Sequence, residues 1–107
     1  MATPPPRPSA LWFLHRQTPN PDVLDQLEID CPGAPGALAV FSSPRAARLY
    51  RQQRLGPEWE LFSLEREHVL GWLADMAGLG AAHVVLDPSP QGGGKVLTVF
   101  QAMVEWP

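Results

Sequence analysis

The chain has 107 residues, of which 45% are hydrophobic and 18% charged, and this size and composition are typical of one globular domain. The formal net charge of −3 excludes a strongly basic surface of the kind that attracts nucleic acid or an anionic membrane. A single cysteine, Cys31, excludes an internal disulfide and favours a reducing compartment.

The first nine residues bear on localisation. They include four prolines, which lack the backbone donor that a helix needs, so residues 1–9 are predicted to be an extended, disordered tail. Pro5 to Pro8 matches the Pro-x-x-Pro pattern of ligands for aromatic grooves, although a plain tail is the simpler interpretation. These residues do not resemble an apolar leader, and every apolar run falls far short of the ~20 residues of a membrane span. We therefore expect a cytoplasmic protein with no membrane partner.

Short strands are predicted next along the chain. Ala10–Arg16 is apolar and aromatic, and Ala37–Phe41 is an apolar run with turn formers on both sides. The segment between them has two interpretations. Val23–Asp30 fits a helical turn, but the alternation of apolar residues from Leu27 onwards favours an edge strand over Gln26–Cys31.

Two helices are predicted in the middle of the chain. Ser43-Pro44 combines a capping hydroxyl with a proline suited to the first helical position, and Gly56-Pro57 ends this helix. The second helix is predicted to begin near Ser63 or Leu64 and to run to Leu79. Its apolar stripe predicts packing on a sheet and consists of Val69, Leu70, Leu73, Met76 and Ala77.

The remaining predicted strands are Trp59–Leu64, His83–Asp87 and Lys95–Val104. The element order is thus β-β-β-α-β-α-β-β, in which the second strand is the ambiguous segment. Alternating strands and helices predict an α/β fold (an α+β mixed sheet) with two helices packed on it, parallel pairs and a C-terminal antiparallel hairpin. Residues 10–107 are expected to form one such domain.

The run Gly92-Gly93-Gly94-Lys95 looks at first like a phosphate-binding loop. That motif needs a glycine five residues before the last glycine, where Ser89 stands, and a serine or threonine after the lysine, where Val96 stands. A strand rather than a helix is predicted to follow, so no helix N-terminus points at a phosphate. The run is interpreted as a flexible hairpin connection.

A pocket is one candidate site. Asp87 ends a predicted buried strand, and ligands of open α/β sheets bind beyond the carboxyl ends of strands. Ser42 and Ser43 follow another such strand and would lie beside it. A small-molecule site or a weak hydrolase could use these residues, whereas Asp87 before Pro88 is also a common turn start.

Other catalytic or metal chemistry finds little support. Cys31 has no second cysteine, and the patterns around His15, His68 and His83 lack metal-ligand spacing. Glu65-x-x-His68 has the spacing of di-iron bundles but occurs once. No catalytic residue, metal ligand or cofactor-binding residue is assigned, and no cofactor is expected.

Half of the eight basic residues lie in the first helix. They are Arg45, Arg48, Arg51 and Arg54. At three-residue spacing this row drifts by about 60° per step and winds around the helix, so it is a solvated basic helix that could contact an acidic partner. Nucleic-acid binding would require a broader basic surface than this helix provides.

Small residues in the second helix indicate association. Gly71, Ala74 and Gly78 fall on one face, opposite the apolar stripe, with Trp72 at its border. Small side chains let another backbone approach closely, and tryptophan is enriched at interfaces. This face is a candidate partner surface, although the four tryptophans of the chain could instead fill the core.

Two stretches resemble the SseB-type domain, the enhanced serine sensitivity family. They are "ALAVFSSPRAARLYRQ" and "WELFSLEREHVLGWLADMAGLGAAHVVLDPSP", and the matching residues lie over about residues 37–90. In that family an apolar strand ending in Phe-Thr/Ser-Ser, here Phe41-Ser42-Ser43, leads into a helix. A later strand ends in Asn/Asp-Pro, here Asp87-Pro88. The resemblance implies a small α/β domain with a non-catalytic role and assigns no catalytic residues.

These features favour a non-catalytic cytoplasmic protein-interaction or regulatory module that self-associates or binds a protein partner. The alternative is a small-molecule-binding protein or weak hydrolase with its pocket near Asp87. A nucleic-acid accessory role through the arginine helix is the least favoured hypothesis.

Overall fold

A computed structural model describes residues 10–20, 22 and 24–105. Its elements in chain order are β1 Ala10–Gln17, β2 Leu24–Gln26, β3 Glu28–Cys31, β4 Ala34–Val40, α1 Pro44–Arg54, β5 Glu60–Glu65, α2 Arg66–Gly78, β6 His83–Leu86, β7 Lys95–Thr98 and α3 Val99–Glu105. The predicted N-terminal tail with its Pro-x-x-Pro pattern, and Trp106, lie outside the described residues.

The fold is α+β, as predicted, but its strands form two sheets. One sheet is antiparallel, in the order β2-β1-β5, and the other has the order β3-β4-β6-β7. In the second sheet β4 and β6 run parallel and the outer pairs run antiparallel. Trp12 and Phe41 join the two sheets through a pair of 2.8 Å backbone hydrogen bonds. The connection from β4 to β6 carries α1, β5 and α2.

Residues 24–26 and 28–31 of the ambiguous segment are strands, so the helical interpretation is wrong there. Leu27 divides it into β2 and β3, one for each sheet. The Leu27 N–H donates to the Leu14 carbonyl on β1, and its own carbonyl accepts from the Ala39 N–H on β4, both at 3.0 Å. The backbone of Leu27 therefore bonds to both sheets and has no group left for a helical turn.

Helix α1 begins as its sequence predicts. The Ser43 hydroxyl accepts a 3.1 Å hydrogen bond from the Ala46 N–H, and Pro44 takes the first position. Helix α2, in contrast, begins at Arg66 rather than at Ser63 or Leu64, so the predicted start is wrong. The reason is that Ser63 and Leu64 are still paired with β1, in a ladder that continues to Glu65.

The largest error of the sequence prediction concerns the last element. Lys95–Val104 was expected to be one strand, but β7 ends at Thr98 and α3 follows. The Thr98 hydroxyl accepts from the Gln101 N–H at 3.0 Å, and the Gln101 side-chain oxygen accepts from the Thr98 N–H at 2.8 Å. This reciprocal pair is a capping box, which starts a helix in a sequence whose β-branched residues favour a strand.

The predicted C-terminal hairpin is confirmed, and the glycine run connects its strands. Strands β6 and β7 pair antiparallel, with Leu86 opposite Lys95. Gly94 has a φ of 124°, and a Cβ built there would lie 2.8 Å from a methyl group of Val85 and 3.0 Å from the Pro88 Cα. Both the backbone conformation and the close packing require glycine at this position.

The core consists of two clusters on opposite faces of the bridged sheets. Alternate residues of β4 divide between them: Leu38 and Val40 join one cluster, and Ala37 and Ala39 join the other. Helices α2 and α3 cover the first cluster, whereas α1 covers the second. The domain is therefore layered, with α1 on one face and the α2–α3 pair on the other. Among residues 10–20, 22 and 24–105, no helix combines the length and apolar character that crossing a membrane requires.

Candidate functional site

The structure brings Ser42 and Asp87 together where the parallel strands β4 and β6 end. The Ser42 hydroxyl donates to one Asp87 carboxylate oxygen at 2.6 Å, and the Ser42 backbone N–H donates to the other at 2.8 Å. The Asp87 N–H in turn donates to the Val40 carbonyl at 2.7 Å. Ser43, the third residue of the predicted pocket, instead caps α1.

This contact is a clamp between two strand ends. Asp87 has a φ of 50°, a left-handed conformation that aspartate tolerates better than most residues. Each of its carboxylate oxygens accepts one hydrogen bond from Ser42, so the contact ties the ends of β4 and β6 together. Among the described residues, no histidine hydrogen-bonds to Ser42 or Asp87, so the arrangement lacks the base of a serine hydrolase.

A cavity of about 370 Å³ lies beside the clamp, and Pro88, the residue after Asp87, is one of its lining residues. Its walls come from the β3–β4 turn, the second half of α1 and the glycine run. The lining residues are Ile29, Asp30, Cys31, Pro32, Tyr50, Arg54, Pro88, Ser89, Pro90, Gly92, Gly93, Gly94 and Val96. Ser42, Ser43 and Asp87 do not line this cavity.

Hydrogen bonds hold the glycine side of the cavity against α1. The Gln91 side-chain amide donates to the Gln53 side-chain oxygen at 3.3 Å. Ser89 donates its hydroxyl to Gln91 at 2.9 Å, and the Gly92 N–H donates to the Ser89 carbonyl at 2.9 Å. The loop thus has internal bonds and an anchor on the helix, which give the cavity a defined wall.

Sequence reasoning found the parts of this cavity but not their assembly. The sequence singled out Cys31 as a lone cysteine and Arg54 as one of a basic row, and Tyr50 lies one turn before Arg54 on α1. Only the fold brings them to one cavity, since they belong to elements that are separate in the sequence. One available signal was that Tyr50 and Arg54 are spaced by four residues and share a helix face.

The four arginines of α1 differ in exposure and in partners. Arg45, Arg48 and Arg54 are exposed, whereas Arg51 is half-buried and donates to the Trp59 carbonyl at 3.4 Å. Arg48 and Arg51 line a separate cleft with the turn after α1. No single basic patch results from these positions.

A larger cleft, of about 560 Å³, lies between β2, β3 and the end of α2. Its arginine, Arg16, is already paired with Asp25 at 3.1 Å and stacks over the Trp59 ring, 4.9 Å from the ring centroid. Arg16 therefore has two partners within the chain, and this cleft offers a ligand less unpaired charge than the smaller cavity does.

The small-residue face of α2 is open. Gly71, Ala74 and Gly78 are all exposed, and a Cβ built on either glycine meets no atom of the described residues within 4 Å. Trp72 does not border this face but turns to the core, where its ring lies 4.5 Å from that of Phe13. Its indole nitrogen is buried and makes no hydrogen bond with the described residues.

Helix α3 adds an apolar surface that the sequence analysis missed. Phe100 is 73% exposed and Val104 is 78% exposed, and they lie one turn apart on the helix. A strand would have placed Ala102 on the same face as these two residues, whereas the helix buries Ala102 to 2% exposure. The capping box at Thr98 was the signal for this difference.

Metal ligands do not converge in the described part of the chain. Among residues 10–20, 22 and 24–105, no group of three His, Cys, Asp or Glu side chains is placed to hold an ion. His68 lies 3.5 Å from Glu67 on the exposed side of α2, and His15 packs on the Phe62 ring.

No protein-family model matches the chain, and no curated protein matches it. The resemblance to the SseB-type domain therefore stays a prediction.

Proposed function

We propose that the protein is a non-catalytic protein-interaction module that self-associates through the outer side of α2 and α3. The observation that carries this proposal is the pair of exposed apolar residues on α3, Phe100 and Val104, beside an open small-residue face on α2. We define the α2–α3 surface as Gly71, Ala74, Gly78, Phe100 and Val104.

These residues belong to one outer layer. Helices α2 and α3 contact each other and bury their inner sides against the same core cluster. Their outer sides therefore face away from the sheets together. Phe100 and Val104 are exposed apolar side chains of this layer, and exposed apolar surface is typical of interaction sites.

The glycines of α2 favour a partner more specifically. Each glycine inside a helix costs about 1 kcal/mol relative to alanine, and none of the described residues requires Gly71 or Gly78 to be small. Close approach by another molecule would supply that requirement.

A second copy of the chain is the partner that we propose. The same surface carries an exposed ring at Phe100 and a face without side chains at the glycines. A two-fold axis brings each of these features of one copy onto the other feature of its partner. The single unpaired cysteine agrees with a cytoplasmic setting, and an SseB-type identity is part of the same proposal.

Light scattering after size exclusion, over a wide range of protein concentrations, tests this function. We expect a wild-type dimer, and a folded monomer for Phe100→Glu and for Gly71→Glu, because each places a charge within the buried interface. Leu49→Glu is the matched control, since Leu49 is 44% exposed on α1 and lies outside the α2–α3 surface. A wild-type monomer at every concentration contradicts self-association, and a dimer in all three variants places the interface elsewhere.

Small-molecule binding is a second candidate function, which the cavity beside Asp87 favours. Hydrolysis is not proposed, because the Ser42–Asp87 contact is a clamp without a base.

A further inference from the structure

The cavity beside the clamp has dimensions and walls suited to a small organic ligand. Its volume of about 370 Å³ falls within the range of roughly 300–1,000 Å³ that is common for ligand sites. Apolar groups form much of its lining, in Ile29, Val96 and three prolines. Proline rings are rigid, so these walls require little ordering when a ligand binds.

Two polar side chains of α1 line this cavity without partners. Tyr50 is only 8% exposed, yet its hydroxyl makes no hydrogen bond with the described residues. Arg54, one turn further on, makes neither a hydrogen bond nor an ion pair with them. Arg16 and Arg51, in contrast, are held by contacts within the chain. A hydroxyl group and a guanidinium that both lack a partner among the described residues, on one cavity wall, point to a ligand that accepts hydrogen bonds and carries negative charge.

The charged residues of the cavity favour a carboxylate ligand over a phosphate ligand. Arg54 is the positive group among the lining residues, and Asp30 is the negative one. The Asp30 carboxylate accepts a 2.8 Å hydrogen bond from the Gly36 N–H in the β3–β4 turn. One arginine matches the single charge and planar geometry of a carboxylate, whereas a doubly charged phosphate beside Asp30 would need further cations.

We propose that this cavity binds a small organic carboxylate with an apolar body. The carboxylate pairs with Arg54 and accepts a hydrogen bond from the Tyr50 hydroxyl, while the apolar body packs on the proline walls. The site lies on the α1 face of the sheets, opposite the α2–α3 surface, so it does not depend on self-association.

Cys31 offers a direct test, because the only cysteine of the chain lines this cavity. The rate of its alkylation by iodoacetamide is measured with increasing benzoate, and with benzamide as the neutral probe of the same shape. We expect benzoate to slow alkylation in a saturable manner with a Kd on the order of 1 mM, as for a ligand of few atoms. Benzamide should protect at least about tenfold more weakly, since it lacks the charge. Phenyl phosphate should protect less than benzoate, and stronger protection by phenyl phosphate would overturn the choice of a carboxylate.

Substitutions identify the groups that bind the probe. Arg54→Gln should weaken benzoate binding by roughly tenfold or more, and Tyr50→Phe by less, because a charged hydrogen bond is the stronger of the two. Arg48→Gln is the matched control, since Arg48 is exposed on the same helix and does not line the cavity.

A second measurement covers the case in which the Cys31 thiol reacts too slowly to follow. The amide signals of Gly92, Gly93 and Gly94 are recorded by NMR during the same benzoate titration, for wild type and Arg54→Gln. Saturable shifts that Arg54→Gln removes support the proposal. Unchanged glycine signals in wild type, or equal shifts in Arg54→Gln, overturn it.

Discussion

The two helical layers differ in what they present to solvent. Helix α1 exposes arginines and glutamines, and a cavity opens beside it. The α2–α3 layer exposes Phe100, Val104 and, at the end of α2, Leu79, which is 81% exposed. Each layer buries an apolar side against its own core cluster, and the comparison concerns the residues on the outer sides. This contrast supports the two proposals, a small ligand at the α1 face and a protein partner at the α2–α3 face.

The largest expected effects come from substitutions that truncate one buried ring in each core cluster. Phe41, at 0% exposure, belongs to the α1 cluster, and Phe13, at 1%, belongs to the α2–α3 cluster. We expect Phe41→Ala and Phe13→Ala each to lower the free energy of unfolding by about 3–5 kcal/mol, because each removes a fully buried ring. Urea unfolding measures both losses.

A matched exposed position provides the control. Phe100→Ala should change the unfolding free energy of the monomer by less than about 0.5 kcal/mol, since its ring is mostly in solvent. If either core variant lost as little as this, the corresponding face would not be packed as described.

Smaller changes in the free energy of unfolding are expected at the glycines. Alanine should destabilise the protein in the glycine run but stabilise it in α2. Gly94→Ala should cost at least about 2 kcal/mol, because the new Cβ meets Val85 and the backbone is left-handed. Gly93 has a φ of 96°, but a Cβ built there meets no atom of the described residues within 4 Å. Gly93→Ala should therefore cost about 1 kcal/mol through the backbone conformation alone.

Gly71→Ala completes this series with the opposite sign. Its helical backbone and open surroundings predict a stability gain of about 0.5–1 kcal/mol in the monomer. Thermal unfolding of the three variants gives the order directly. A stability loss for Gly71→Ala in the monomer would show that this glycine is required inside the chain and would remove the argument for a partner there.

The sequence predicted most of this fold wherever local chemistry and the hydrophobic pattern agreed. The Ser43-Pro44 start of α1 and the hairpin around Gly92–Gly94 are examples, because capping and turn residues act over a few positions. Long-range pairing could not be anticipated in the same way. The ladder that keeps Ser63 and Leu64 in β5 depends on β1, some fifty residues away.

The candidate site shows the same limit. Ser42 and Asp87 were expected to lie close together as the ends of neighbouring strands, and they hydrogen-bond to each other. Their chemistry was not predictable, since only the geometry shows that both carboxylate oxygens accept hydrogen bonds from Ser42. The cavity could not be assembled from the sequence, because Cys31, Tyr50 and Arg54 meet only after the strands have paired.

The capping box at Thr98 links stability to the proposed interface. Thr98→Ala removes the acceptor of the Gln101 N–H and should cost about 1 kcal/mol, whereas Thr98→Ser keeps a hydroxyl and should cost less. Ser43→Ala should cost a similar amount on the opposite face, where it removes the cap of α1.

The two cap variants should differ in their effect on self-association. Thr98→Ala loosens the helix that presents Phe100 and Val104, so light scattering should show weaker dimerisation, whereas Ser43→Ala should leave the dimer unchanged. Equal weakening by both variants would mean that dimerisation follows overall stability rather than the order of α3, and the division of roles between the two faces would then be wrong.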